Sequence, residues 1–139
     1  MKKIIKFSDL LEKHDAQMNE LEKKYPWLKL YVEAKRRHPK TIFFYRLEGF
    51  YETFSDDATA VSRVLGVGIA TSSEGLLMCG VPVPGVSRVL RKMVNAGYRV
   101  ATCETVADKS SSSGHRHIVT RAVNRSFAKP LRISLKNEL

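Results

Sequence analysis

Between residues 8 and 25, Leu11, Met18, Leu21 and Tyr25 fall on one stripe at helical spacing, with polar residues between them. Ser8 or Asp9 can cap the start, and Pro26 stops the run. Proline also suits the first turn of a second helix, PWLKLYVEAKRRH, whose inward residues are predicted to be Trp27, Leu30, Tyr31 and Ala34. The pattern then changes period. TIFFYRL (41–47) is a nearly continuous apolar, β-rich run of the kind found in central strands. Gly49 marks a turn or bulge, after which FYETF resumes extended structure. SDDATAVSRVLG is a helix with acids in its first turn, a stripe of Ala58, Val61, Val64 and Leu65, and Gly66 as its stop.

VGIAT and LLMC read as short strands, and GVPVPG as a loop because its prolines cannot donate to a ladder. VSRVLRKMVNAG is a helix with Val86, Val89, Leu90, Met93 and Val94 inside and Gly97 closing it. YRVATCETV is another strand, DKSSSSGH a polar loop, and HIVTRAVNRSF a last strand before a basic tail. Strands alternating with helices, together with strands joined by short loops, predict an α/β domain with a mixed β-sheet flanked by helices. No internal repeat is visible. The expected divisions are an N-terminal helical extension over 1–26, a main domain over 27–127 and a basic tail over 128–139.

With 139 residues the chain is long enough to bury a core without metal or disulfide support. Cys79 and Cys103 each sit in an apolar stretch and read as reduced, buried thiols of a cytoplasmic protein. No apolar run approaches the ~20 residues of a membrane span. Lys6, Ser8 and Asp9 interrupt what would otherwise be a signal sequence. The net charge of +10 is unevenly spread: residues 1–40 carry +5, 41–85 carry −3 and 86–139 carry +8. Such a chain suits a polyanionic partner, and an ordinary solvated basic surface or an anionic lipid partner fits the same charge.

Most enzymatic motifs fail. GVPVPGVS keeps the glycines of a phosphate loop, but Val86 replaces the lysine and Pro82 and Pro84 remove backbone donors. His115 and His117 lack the spacing of a zinc site and read as solvated. Glu48, Glu52, Asp56 and Asp57 cluster as a metal-dependent nuclease would require, yet helix N-terminal preference accounts for the two aspartates. In an extended GFYETF, Phe50, Glu52 and Phe54 share one face and Tyr51 and Thr53 the other. From spacing alone, Phe50 reads as a core ring with Glu52 at its rim.

FFYRLEGFYETFSDDA, with CGVP and YRVATCETV in the same order and at similar spacing, resembles the N-terminal mismatch-recognition domain of the MutS family. The likeness runs from about Tyr31 to Val123. It implies that Phe50 is the ring that enters the minor groove of duplex DNA at a mismatch or bulge, and that Glu52 hydrogen-bonds the displaced base. It also implies a role in DNA mismatch repair, with no catalysis by this domain, no cofactor and no metal. Arg116, Arg121 and Arg125 are the principal candidates for backbone contacts, with Lys129, Arg132 and Lys136 beyond them. The family's Gly-Asp before the ring is here Glu48-Gly49, its Gly-Val-Pro-Tyr-His-Ala is GVPVPG, and its closing Thr-Pro-Gly-Thr is replaced by Asn124 to Phe127. The expected protein is a stand-alone, nucleoid-associated recognition domain without an ATPase, working with a MutS-like ATPase in trans or as a homodimer through the 8–25 helix. An interaction module that modulates a full-length MutS homologue, and a non-specific DNA binder, are the other readings.

Overall fold

The computed structural model describes the backbone of residues 7–107 and 115–123, and the side chains of residues 8–104. The chain divides into two units, residues 1–40 and 41–139.

The first unit is a helical pair. α1 (Phe7–Lys24) is followed by a 3-10 turn, Pro26–Leu28, and by α2 (Lys29–Arg37). Met18 and Tyr25 are buried as their stripe predicts, but Leu11 is exposed. Trp27 is corrected too: it is 54% exposed, and Leu28 is buried in its place. A 3-10 turn advances three residues per turn instead of 3.6, which carries the inward position past Trp27. Arg36 closes the pair. Its guanidinium meets Glu22 Oε2 at 2.6 Å and donates to Asn19 Oδ1 at 2.6 Å. Lys35 is buried and donates to the Pro39 carbonyl at 3.3 Å. Both cations thus serve the helical pair itself.

Among the described residues, the second unit is a six-stranded mixed sheet with two helices. Its elements are β1 (Thr41–Leu47), β2 (Phe50–Phe54), α3 (Asp56–Leu65), β3 (Ala70–Thr71), β4 (Leu77–Pro82), α4 (Val86–Asn95), β5 (Arg99–Ala107) and β6 (His115–Val123). The spatial order is β3-β4-β2-β1-β5-β6. β1 and β5 run parallel, and every other neighbouring pair is antiparallel. The apolar run of β1 is explained by its central place between β2 and β5.

α3 and α4 pack on one face. Ile42, Phe44, Tyr51, Cys79, Val81 and Val100 from the sheet meet Ala58 and Val61 of α3 and Leu90 and Met93 of α4. Gly66 ends α3 at φ +68, as its C-cap position requires. On the opposite side of the same strands, Phe43, Phe54, Ala101 and Cys103 are buried as well. Both cysteines are buried and unbridged.

Two segments depart from expectation. VGIAT forms only the two-residue β3. GVPVPG is not all loop: Gly80, Val81 and Pro82 extend β4, and a 3-10 turn occupies Val83–Gly85. Pro82 is tolerated because it is the last residue of its strand, where no further donor is needed; the next amide, Val83 N, donates to the Gly49 carbonyl at 3.0 Å. Of the expected DKSSSSGH loop, His115 instead opens β6, opposite Ala107; residues 108–114 and the basic tail lie outside the described residues.

Candidate nucleic-acid interface

The β1–β2 hairpin builds the site. Leu47 pairs with Phe50, so the loop is only Glu48 and Gly49. Gly49 is part of the turn, but Glu48 carries the positive φ, +56. Left-handed φ at the first loop residue alone is the pattern of a type II′ hairpin, which favours glycine there. Arg46 braces the turn, with Nε donating to the Glu48 carbonyl at 3.2 Å and Nη1 donating to Glu104 Oε1 of β5 at 2.8 Å. The Tyr51 hydroxyl donates to the same Glu104 oxygen at 3.3 Å.

Strand alternation sorts the side chains of β2. Tyr51 and Thr53 register with Val81 and Cys79 and therefore face α3 and α4. Phe50 and Glu52 point to the other side. Phe50, the first residue of β2, is 49% exposed. Spacing alone places it in the core, and this is corrected: beyond Leu47 and Pro82, its partners on either side, the hairpin ends and leaves the ring open. Glu52 is half-buried two residues on, and Tyr45 and Gly80 flank it. Phe54, on the same side, is fully buried. The three aligned residues thus grade from open ring through half-covered carboxylate to closed core.

The Glu52 carboxylate lies against the bare Cα of Gly80. A Cβ built on Gly80 stands 2.7 Å from Glu52 Cδ and 2.8 Å from Oε2, and nearer still to Oε1. Burial raises the Glu52 pKa above its ordinary 4.5. Burial, and then the negative charge of Glu52, raises that of the Cys79 thiol. An acid held this way accepts a hydrogen bond when ionised and donates one when protonated.

The remaining candidates are more scattered. Arg116 and Arg121 belong to β6, the far edge strand, where they register with Val106 and Thr102. Three strand spacings separate β6 from β2, roughly 14 Å at ~4.8 Å each. Arg125 lies outside the described residues. Asp56 and Asp57 occupy the first turn of α3, as expected. Among the described residues no three or more His, Cys, Asp or Glu gather in a geometry that could hold a metal ion, so the four carboxylates considered for a nuclease do not assemble into one. No helix of the described residues is long and apolar enough to cross a membrane. Sequence reasoning missed Gly80, although a glycine inside a strand signals close approach of another group. It also missed the Arg46–Glu104 brace, whose partners are 58 positions apart.

The profile of the family described as MutS domain I matches residues 25–132. A curated protein named DNA mismatch repair protein MutS, from Thermosipho melanesiensis, is 38% identical over 108 residues. That alignment takes in 78% of this chain and 13% of the relative, so the chain spans about an eighth of the relative's length. A match over most of the chain, on a fold whose order of strands and helices follows the sequence pattern, places this protein in the MutS domain I family.

Proposed function

We propose that this domain binds duplex DNA and distinguishes mismatched or bulged sites from intact ones, with Phe50 as an intercalating wedge and Glu52 as the hydrogen-bonding group beside it. The observation that carries this is a half-exposed ring and a half-buried carboxylate on one face of β2, at the end of a braced hairpin. Unstacking a base step costs a few kcal/mol, and less where pairing is already faulty. Stacking the freed base on an aromatic ring returns ~1–3 kcal/mol. The ring therefore favours duplex that is cheap to deform. The carboxylate adds contrast: near phosphates it is repelled, and a displaced base edge compensates by sharing a proton with it. Arg116, Arg121 and Arg125 supply backbone contacts in this reading. Any ATP hydrolysis that accompanies repair is assigned to other domains or to a MutS-like partner.

Gel-shift titration with homoduplex, G·T-mismatched and single-base-bulge oligonucleotides tests the reading. Bulge and mismatch are expected to bind more tightly than homoduplex, all three weakening with salt as phosphate contacts do. Equal affinities that Phe50→Ala leaves unchanged would reduce the activity to general polyanion binding.

One observation supports self-association. α1 precedes the family match and presents Leu10 and Leu11 to solvent. Pairing of two copies through these leucines would double the cationic surface on DNA. Light scattering of the parent against a Leu10→Ser, Leu11→Ser variant distinguishes monomer from dimer.

A further inference from the structure

Gly80 stands between Cys79 and Val81 in the middle of β4, within a continuous ladder to β2. Glycine weakens a strand interior, since it has no side chain to pack and more backbone freedom to lose. The backbone does not call for it: among the described residues the glycines with positive φ are Gly66, Gly75 and Gly97. Its surroundings do. A Cβ on Gly49, Gly66, Gly68, Gly85 or Gly97 would meet nothing within 4 Å, whereas one on Gly80 would run into the Glu52 carboxylate.

We infer that Gly80 is a positioning residue, whose bare Cα is the seat that holds the Glu52 carboxylate down against the sheet beside the ring of Phe50. The inference rests on the reading of Phe50 and Glu52 as the DNA-contacting pair. Three observations agree with the seat. Register places Gly80 directly opposite Glu52. The carboxylate is half-covered although Gly80 itself is exposed, so the seat is open above and a base edge can reach it. The neighbouring Cys79 thiol feels the Glu52 charge, as a carboxylate lowered onto β4 requires.

The chemistry follows from the geometry. A free glutamate side chain samples many rotamers and loses them when it docks on a ligand. The seat removes that freedom before DNA arrives, which is preorganisation. It also strips water from one side of the carboxylate. Because the atoms that a Cβ would strike are the far end of a flexible side chain, a methyl group at position 80 displaces Glu52 outward and leaves the fold in place.

The test is Gly80→Ala in the full chain, with two readouts. NMR titration of the Glu52 carboxyl is expected to move down toward the ordinary glutamate value. Competition between bulged and intact duplex is expected to lose about tenfold in preference, the worth of one good hydrogen bond. Added to Glu52→Ala, the same substitution is expected to change the preference no further. An unmoved Glu52 titration, or an equal loss with and without Glu52, overturns the seat. Should Gly80→Ala fail to fold, the double variant Gly80→Ala, Glu52→Ala decides: folding like Glu52→Ala upholds the seat, and equal failure overturns it. If the parent shows no bulge preference, the DNA reading falls by itself, while the Glu52 titration still judges the seat.

Discussion

Arg46 on β1 and Glu104 on β5 meet at 2.8 Å, and the same guanidinium reaches back to the Glu48 carbonyl at 3.2 Å. One planar fork thus ties the hairpin turn to a neighbouring strand. Lysine carries the charge but cannot make both bonds at these angles. Arg46→Lys is expected to speed amide exchange several-fold at Phe50 and at Val83, which donates to the Gly49 carbonyl. The net charge, and with it the salt dependence of DNA binding, should stay as it was. Unchanged exchange would mean that the turn holds itself.

Glu48 at φ +56 and Ser55 at φ +57 are the described non-glycine residues with left-handed φ, and they bracket β2 at its two ends. Ser55 has ψ −129, a region essentially restricted to glycine, and its side chain makes no cap hydrogen bond. Such positions cost of order 1–3 kcal/mol each. Glu48→Gly and Ser55→Gly are each expected to stabilise the fold by about 1 kcal/mol, net of the extra backbone freedom of glycine in the unfolded chain. Denaturant melts measure this directly. A loss of stability in both would show that the two conformations are not strained.

Burial raises the pKa of Glu52 in the folded state, so its contribution to stability is full below the ordinary value of 4.5 and declines as pH rises through the folded value. Ionised Glu52 is therefore a liability at neutral pH. Glu52→Gln should gain stability relative to the parent between pH 4.5 and 7, with no gain below that window. Because the carboxylate keeps access to water, the gain is modest. A pH-independent difference between the two proteins would remove the burial argument.

Phe50 and Phe54 flank Glu52 on the same side of β2 with opposite exposures, 49% against 1%. Phe54→Ala is expected to destabilise by about 3–5 kcal/mol, as for a large ring removed from a core. Phe50→Ala should leave the melting temperature nearly unchanged while reducing bulge preference about tenfold, the worth of one stacked base. A large stability loss from Phe50→Ala would mark that ring as structural.

The elements that sequence makes plain here are those whose signal is local. A nearly unbroken apolar run marks β1 as central, and Asp56, Asp57 and Gly66 bound α3 through the preferences of helix ends. Where the outcome depends on partners distant in the chain, the pattern says less. Phe50 looks like a core residue until the end of its sheet neighbours is known. Gly49 draws attention in the turn, yet the strained residue is Glu48, since II′ geometry places the positive φ first. Trp27 lies on a helical stripe that a 3-10 turn rotates away. Gly80 reads as loop because prolines follow it, and its value depends on a side chain from another strand.

The parallel pairing of β1 with β5 sets an order of events for the growing polypeptide. Residues 41–54 can form their hairpin soon after synthesis, since its contacts are local. The clasp on that hairpin waits for Glu104, 58 positions downstream of Arg46. Bringing so distant a strand alongside carries a loop-closure cost in entropy. A ribosome-bound chain that has emerged only as far as α4 therefore displays the ring and the acid on an unclasped hairpin, and gains its rigid tip only when β5 arrives.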